Sequence, residues 1–173
     1  SMTEMWDVTA QTTLHCSGHR LVAPAATGNV VVTIANTDDE LASGAVSMTG
    51  VDQTTPVGTP VTANAATGTP TVTISSETDA LVLDTITAGG ATALAVGAGQ
   101  TSRWEFEAAS GSENAMGGSS EPGGASIVMS WTLTGGTVWL IGGVSFKPVA
   151  AGGAGRLVDG CLVDGLLIGS LIR

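Results

Sequence analysis

The stretch Ser126 to Pro148, SIVMSWTLTGGTVWLIGGVSFKP, constrains the fold of this chain more than any other. From Ile127 to Leu133 the side chains alternate. Ile127, Met129, Trp131 and Leu133 fall on one face and Val128, Ser130 and Thr132 on the other, the period of a half-buried strand. Thr134-Gly135-Gly136-Thr137 follows, and its two central glycines suit a tight hairpin, because the favoured hairpin turns need positive φ. Val138 to Phe146 is apolar on both faces apart from Ser145 and predicts a second strand. Gly142-Gly143 inside that run predicts a bulge or a close backbone approach. The expectation for the segment is therefore two strands and a turn, ended by Pro148.

The rest of the composition agrees with an all-β chain. Val, Thr, Ile and Ala dominate, with 25 Gly and only 5 Lys plus Arg in 173 residues, whereas stable helices want Lys, Arg, Gln and Glu on their outer faces. That length fits one domain, or one domain plus an appendage. The formal net charge of −10 disfavours a nucleic-acid surface, which needs clustered Lys and Arg, and an anionic membrane surface. The same composition suits an extracellular, cell-surface or virion-surface setting. No run reaches the ~18 apolar residues of a membrane helix. The start has neither a basic nor an apolar leader region, and Ser1-Met2 reads as a remnant of tag cleavage. The cysteines, Cys16 and Cys161, lie near opposite ends and read as two free thiols more readily than as one disulfide.

In chain order, residues 4–12 predict an edge strand with Trp6 and Val8 on one face. His15-Cys16-x-x-His19 brings three metal-capable side chains together, but zinc wants a fourth ligand, and a polar loop is the simpler reading. Asn29 to Ala35 predicts a strand, and Asp38-Asp39-Glu40 after it is either a solvated turn or a partial Ca²⁺ site. Strands are also expected over 42–50, 71–75, 80–87 and 100–108, with a short strand or extended connection over 60–63. The run 80–87 should be central and covered on both sides. Asp84 within it reads as a carboxylate satisfied by N–H or hydroxyl groups, or, less readily, as part of a site. Residues 109–125 predict a long polar loop.

Five phrases carry a resemblance: TGNVVVTIA, GVDQTTPVGTP, PTVTISSETDALVLDTI, VGAGQTSRWE and SSEPGGASIVMSWTLTGGTVWLIGGVSFKP. In this order they resemble a poorly characterised β-sandwich module that recurs in secreted bacterial, metagenomic and phage-associated proteins. The resemblance spans about residues 27–149. It implies a jelly-roll-like antiparallel sandwich, usually extracellular, and brings no catalytic residue or ligand with it. The family module has several more strands before its TGNVVVTIA-like segment, whereas only residues 1–26 precede it here. Missing strands leave exposed sheet edges, which invite pairing with a second chain.

The expected organisation is thus a sandwich over 1–149, a Gly/Ala linker over 150–155 and an apolar tail over 156–173 with a five-residue repeat. The tail can pack on its own sandwich as an extra strand, assemble with tails of other subunits about a threefold axis, or form a disordered or frame-altered end. Leu157, Val158, Leu162, Val163, Leu167 and Ile168 are its candidate assembly residues. The leading functional expectation is a non-enzymatic surface module acting through assembly or adhesion, as a homo-oligomer. The alternative is a carbohydrate-binding module using exposed tryptophan, for which Trp139 is the first candidate, with Trp6 and Trp104 behind it. A two-carboxylate hydrolase built on Asp84 with Glu105 or Glu121 is the third. No cofactor is expected apart from Ca²⁺ at Asp38, Asp39 and Glu40.

Overall fold

The computed structural model describes residues 2–10, 14–24, 29–33, 41–107 and 114–150, and the backbone of 166–171. Among them there is no helix, and the paired strands are antiparallel. The first sheet joins β1 (Thr3–Ala10), β2 (Leu14–Leu21), β10 (Leu166–Leu171) and β3 (Ala45–Met48) in the order β1-β2-β10-β3. The second runs β4 (Val61–Ala65), β9 (Ser126–Phe146), β6 (Leu81–Val96), β8 (Asn114–Pro122) and β7 (Thr101–Phe106), with β5 (Thr71–Ser75) paired to the first half of β9.

Two strands, β6 and β9, run beside each other from Leu81↔Phe146 to Val96↔Trp131, the whole of β6 and most of β9. This corrects the expected hairpin over 126–148: the segment is one strand, and its partner is the equally continuous β6. The register slips twice between Gly89 and Ala93, opposite Gly135. Gly90, Gly135 and Gly136 all have positive φ, near 70°. The glycines that looked like a turn are thus one side of a corner where both strands kink together.

The corner folds the sheet over itself. Val82, Ile86, Trp139 and Ile141 lie before the corner in the ribbon, and Val72, Ile74, Met129 and Trp131 beyond it, yet all share one buried cluster. The opposite face of β6 and β9 packs on the first sheet. There Leu83, Val144 and Phe146 meet Trp6 and Met48, and Val138 and Leu140 meet Val8, Leu14 and Cys16. Residues 82–88 are accordingly buried on both faces, as expected of a central strand. Thr85 and Thr87, hydroxyl-bearing members of that run, find partners across the layer gap. Thr85 Oγ1 lies 3.0 Å from Cys16 Sγ, and Thr87 Oγ1 donates to the carbonyl of His15 at 3.3 Å.

Tryptophan lying on glycine recurs through the molecule. A Cβ on Gly18 or Gly142 would stand 2.3 or 2.2 Å from the Trp6 ring. One on Gly44 or Gly118 would strike Trp104, and one on Gly117 would come 2.9 Å from Trp131. Gly142 is thus a close approach, with no register slip at that point. The same packing explains β8, in a segment expected to be a loop: NAMGGSSEP carries few strand-forming residues, but the rings of Trp131 and Trp104 need bare backbone beneath them. Other expectations shift too. The polar segment around His15 is strand β2, with Leu14 and Cys16 turned inward. Residues 29–33, expected to begin a strand, form none, and Val31 stands 79% exposed.

The Trp6–Gly142 contact makes a direct prediction. Gly142→Ala should lower stability by about 1–3 kcal/mol, because the new methyl meets a ring fixed between two layers. Adding Trp6→Leu should return part of that loss. Urea unfolding of the single and double variants checks it, and strictly additive effects would contradict the contact.

Candidate functional site

Asp84 is the first side chain to ask about, because it is a carboxylate only 2% exposed at the centre of the fold. Its Oδ1 accepts the Ser119 N–H at 3.0 Å and the Ser119 hydroxyl at 2.6 Å, and its Oδ2 accepts the Trp131 indole N–H at 2.8 Å. Ser119 and Asp84 are register partners on β8 and β6, whereas Trp131 comes from beyond the corner. Gln100 extends the network: its Nε2 donates to Ser119 Oγ at 2.7 Å and its Oε1 accepts the Ser130 N–H at 2.8 Å. The phrases GAGQ, SSEP and MSWTL therefore meet here as one polar clasp between strands. The gap beside it, lined in part by Trp6, Val46 and Trp104, holds only about 20 Å³, room for a water and nothing larger.

The two-carboxylate arrangement can be judged from the same geometry. Glu121 faces Val82 in the register that sets Ser119 against Asp84, so the two acids are diagonal neighbours on adjacent strands. Both oxygens of Asp84 are already occupied by protein donors, and Glu105 lies on an exposed stretch of β7. Asp84 is thus held as a strand clasp, and the gap of about 20 Å³ that it lines has room for no more than a water. Cys16 is free and fully buried, and burial, reinforced by the charge of Asp84, pushes its thiol up to about 11 despite hydroxyl contacts. A thiol so raised stays protonated and unreactive. His15 pairs with Asp7 at 3.0 Å and with Thr9, while His19 contacts Ser17 Oγ at 3.3 Å. Among the described residues no three His, Cys, Asp or Glu side chains group as a metal site. Asp38, Asp39 and Glu40 lie outside the described residues, as does Cys161.

The tryptophans correct the expected ring platform. Trp139 is 6% exposed and donates its indole N–H to the Thr67 carbonyl at 3.2 Å, and Trp6 is 4% exposed. Neither offers a ring face to a ligand. Trp104 is half-buried, resting on Gly44 and Gly118. Trp139 does face away from Leu140, but that face is covered by the folded-over layer carrying Val72, Ile74, Met129 and Trp131.

Other phrases of the sequence serve the backbone. Asp52 accepts the N–H groups of Thr54 at 2.7 Å and Thr55 at 2.9 Å, and these bonds hold its carboxyl below the usual range. The loop so shaped runs along the end of β9, where Gly58 N–H, Lys147 N–H and Val149 N–H bond to Ser145, Pro56 and Gly50 carbonyls.

The tail provides the clearest candidate surface. β10 pairs with β2 through Leu167↔Leu21 and Ile168↔Arg20, and with β3 through Leu167↔Ser47 and Ile168↔Val46. Of the tail's candidate assembly residues, Leu167 and Ile168 are placed by this pairing, while Leu157, Val158, Leu162 and Val163 lie outside the described residues. Among the described strands, β3 joins its sheet only through β10. The slot between β2 and β3 is therefore bounded on both sides by backbone donors and acceptors that β10 pairs with.

No helix among the described residues is long and apolar enough to cross a membrane. Comparison with family models, with curated proteins and with solved structures finds no match to this chain.

Asp84 generates a pH prediction. Burial pushes its carboxyl up from the ordinary 3.8 to about 6, against the opposing hydrogen bonds of Ser119 and Trp131. The folded state therefore holds the proton more tightly than the unfolded chain. The resulting contribution is complete below the unfolded value and is lost as pH rises through about 6. Relative to Asp84→Asn, the wild-type unfolding free energy should fall by on the order of 2–3 kcal/mol between about pH 4 and pH 7. Denaturant titrations of both proteins across that range check it, and parallel profiles would contradict it.

Proposed function

We propose that this chain is a non-enzymatic structural and adhesion module that acts through assembly, with its C-terminal strand as the element that completes a sheet. The observation carrying this reading is the seat of Leu166–Leu171 between β2 and β3, with hydrogen-bonded neighbours on both sides. A strand that follows a Gly/Ala-rich tether and fills an internal slot can come from its own chain or from a second copy. The proposed product is a homo-oligomer, with a trimer about a threefold axis as the arrangement in which short apolar tails meet. Support for an extracellular or virion-surface setting comes from the net charge of −10, the scarcity of Lys and Arg and the resemblance of the quoted phrases. A jelly-roll-like path is the finer form of the fold that this reading adopts.

The clasp at Asp84 supports the non-enzymatic half of the proposal, because its polar groups are spent on each other. A carbohydrate-binding reading that rests on Trp139 or Trp6 lacks an available ring face.

Deleting residues 156–173 tests the proposal. By light scattering at about 10 μM, a concentration where interfaces of ordinary affinity are populated, the full chain should be oligomeric. The truncated chain should be monomeric, and the peptide 156–173 added in trans should bind it. A full chain that stays monomeric, or an oligomer unchanged by the deletion, would overturn the assembly reading.

A further inference from the structure

At the corner of β6 and β9 lies an open groove of about 270 Å³. Its floor is the kinked stretch of β9 around Leu133, Gly135 and Gly136, and its far wall is the turn from Thr67 to Pro70 after β4. The wall is fastened at both ends by the tryptophans of β9. Trp139 Nε1 donates to the Thr67 carbonyl at 3.2 Å, and the Trp131 N–H donates to the Pro70 carbonyl at 3.1 Å. Beside the lining residues, Thr92 Oγ1 donates to the Thr134 carbonyl at 3.2 Å and ties the kinked strand to β6. The groove is thus set in place by the same ribbon that builds the core, which lowers the ordering cost of binding a ligand.

From these features we infer that the groove is a binding site for a neutral saccharide. The lining decides the class. Thr67, Thr69, Thr132 and Thr137 are exposed and bring hydroxyls that both donate and accept. The half-buried Leu133 brings apolar surface between them, with the buried Pro70 behind the wall. Gly135 and Gly136, both at positive φ and exposed, leave backbone open at the floor without a side chain above it. No Asp, Glu, Lys, Arg or His lines the groove. A charged ligand would find no counter-charge, and an anion would also meet a protein of net charge −10. A wholly apolar ligand would strip water from the threonine hydroxyls without replacing their hydrogen bonds. A sugar has hydroxyls around its rim and C–H groups on its faces, and so answers both kinds of lining. The volume falls just below the usual range for small-molecule pockets, so the groove takes a short segment of a longer glycan chain and buries no whole oligosaccharide.

This site shares no residue with the tail slot, so it stands or falls independently of the assembly reading. The experiment is an NMR titration of the full chain with neutral hexasaccharides of glucose, xylose and N-acetylglucosamine, with polygalacturonate as an anionic control. The expected result is a saturable shift for at least one neutral sugar, with a dissociation constant at or below about 1 mM. The shifts should be confined to Thr67–Pro70 and Thr132–Thr137. Thr69→Arg and Thr137→Arg change exposed positions, and the fold of each variant is verified from its own spectrum. Each should weaken that binding at least about tenfold. No saturable shift with any neutral sugar at about 10 mM would overturn the inference. So would shifts centred on Trp104, stronger binding of the anionic control, or unchanged affinity in both arginine variants.

Discussion

The indole of Trp131 reaches the carboxylate of Asp84 only because two long strands turn a corner together, and most of the architecture depends on that contact. In the register of β6 and β9, Asp84 faces Gly143 and Trp131 faces Val96, so along the ribbon the two are far apart. The kink at Gly90, Gly135 and Gly136 brings them to 2.8 Å. Burying a carboxylate is costly unless donors surround it, and here the donors come from both layers. The charge that makes the centre expensive therefore also specifies which half of the ribbon meets which. A purely apolar centre would permit the halves to slide past one another, while Ser119, Gln100 and Trp131 fix one alignment.

Glycine plays two separate parts in this design. At the corner it supplies positive φ that other residues reach only with strain. At Gly18, Gly117, Gly118 and Gly142 the φ is unremarkable and the absence of a Cβ is what matters, because an indole ring occupies that space. Large rings on bare backbone allow layers to approach closely with few aromatic residues, which fits a chain with four Trp, two Phe and no Tyr.

That division also explains what could be read from the sequence. β5 is legible to the residue, because Val72 and Ile74 alternate with exposed Thr71, Thr73 and Ser75. The central burial of residues 82–88 is legible because that run is apolar with only Asp and Thr interrupting it. β8 is not legible, because its strand character comes from Trp131 and Trp104 on other strands and leaves no local periodicity in NAMGGSSEP. β2 is missed for a related reason: Gly18 is an inward position filled by the ring of Trp6. Thr134-Gly135-Gly136-Thr137 misleads because a hairpin turn and a strand corner ask the same thing of glycine. What separates them is the matching kink at Gly90, far earlier in the chain, which becomes meaningful only once β6 and β9 are known to be partners. The burial of Trp139 follows from the same corner, since its second face is covered by a layer that a flat sheet would lack.

The candidate sites divide along the same line. Titratable and nucleophilic side chains such as Asp84 and Cys16 are the easiest to notice in a sequence, and the fold draws them inward. What remains at the surface is a groove of threonine hydroxyls and open backbone and a sheet slot filled by a six-residue strand. Both are made of residue types that carry no chemistry on their own, so each becomes a site only through the geometry around it. Shape, hydrogen-bond pairing and backbone complementarity are the means of recognition open to surfaces of this kind. The chain therefore spends its buried carboxylate, Asp84, on holding two bent layers in register, while its other described acids stay exposed or half-buried.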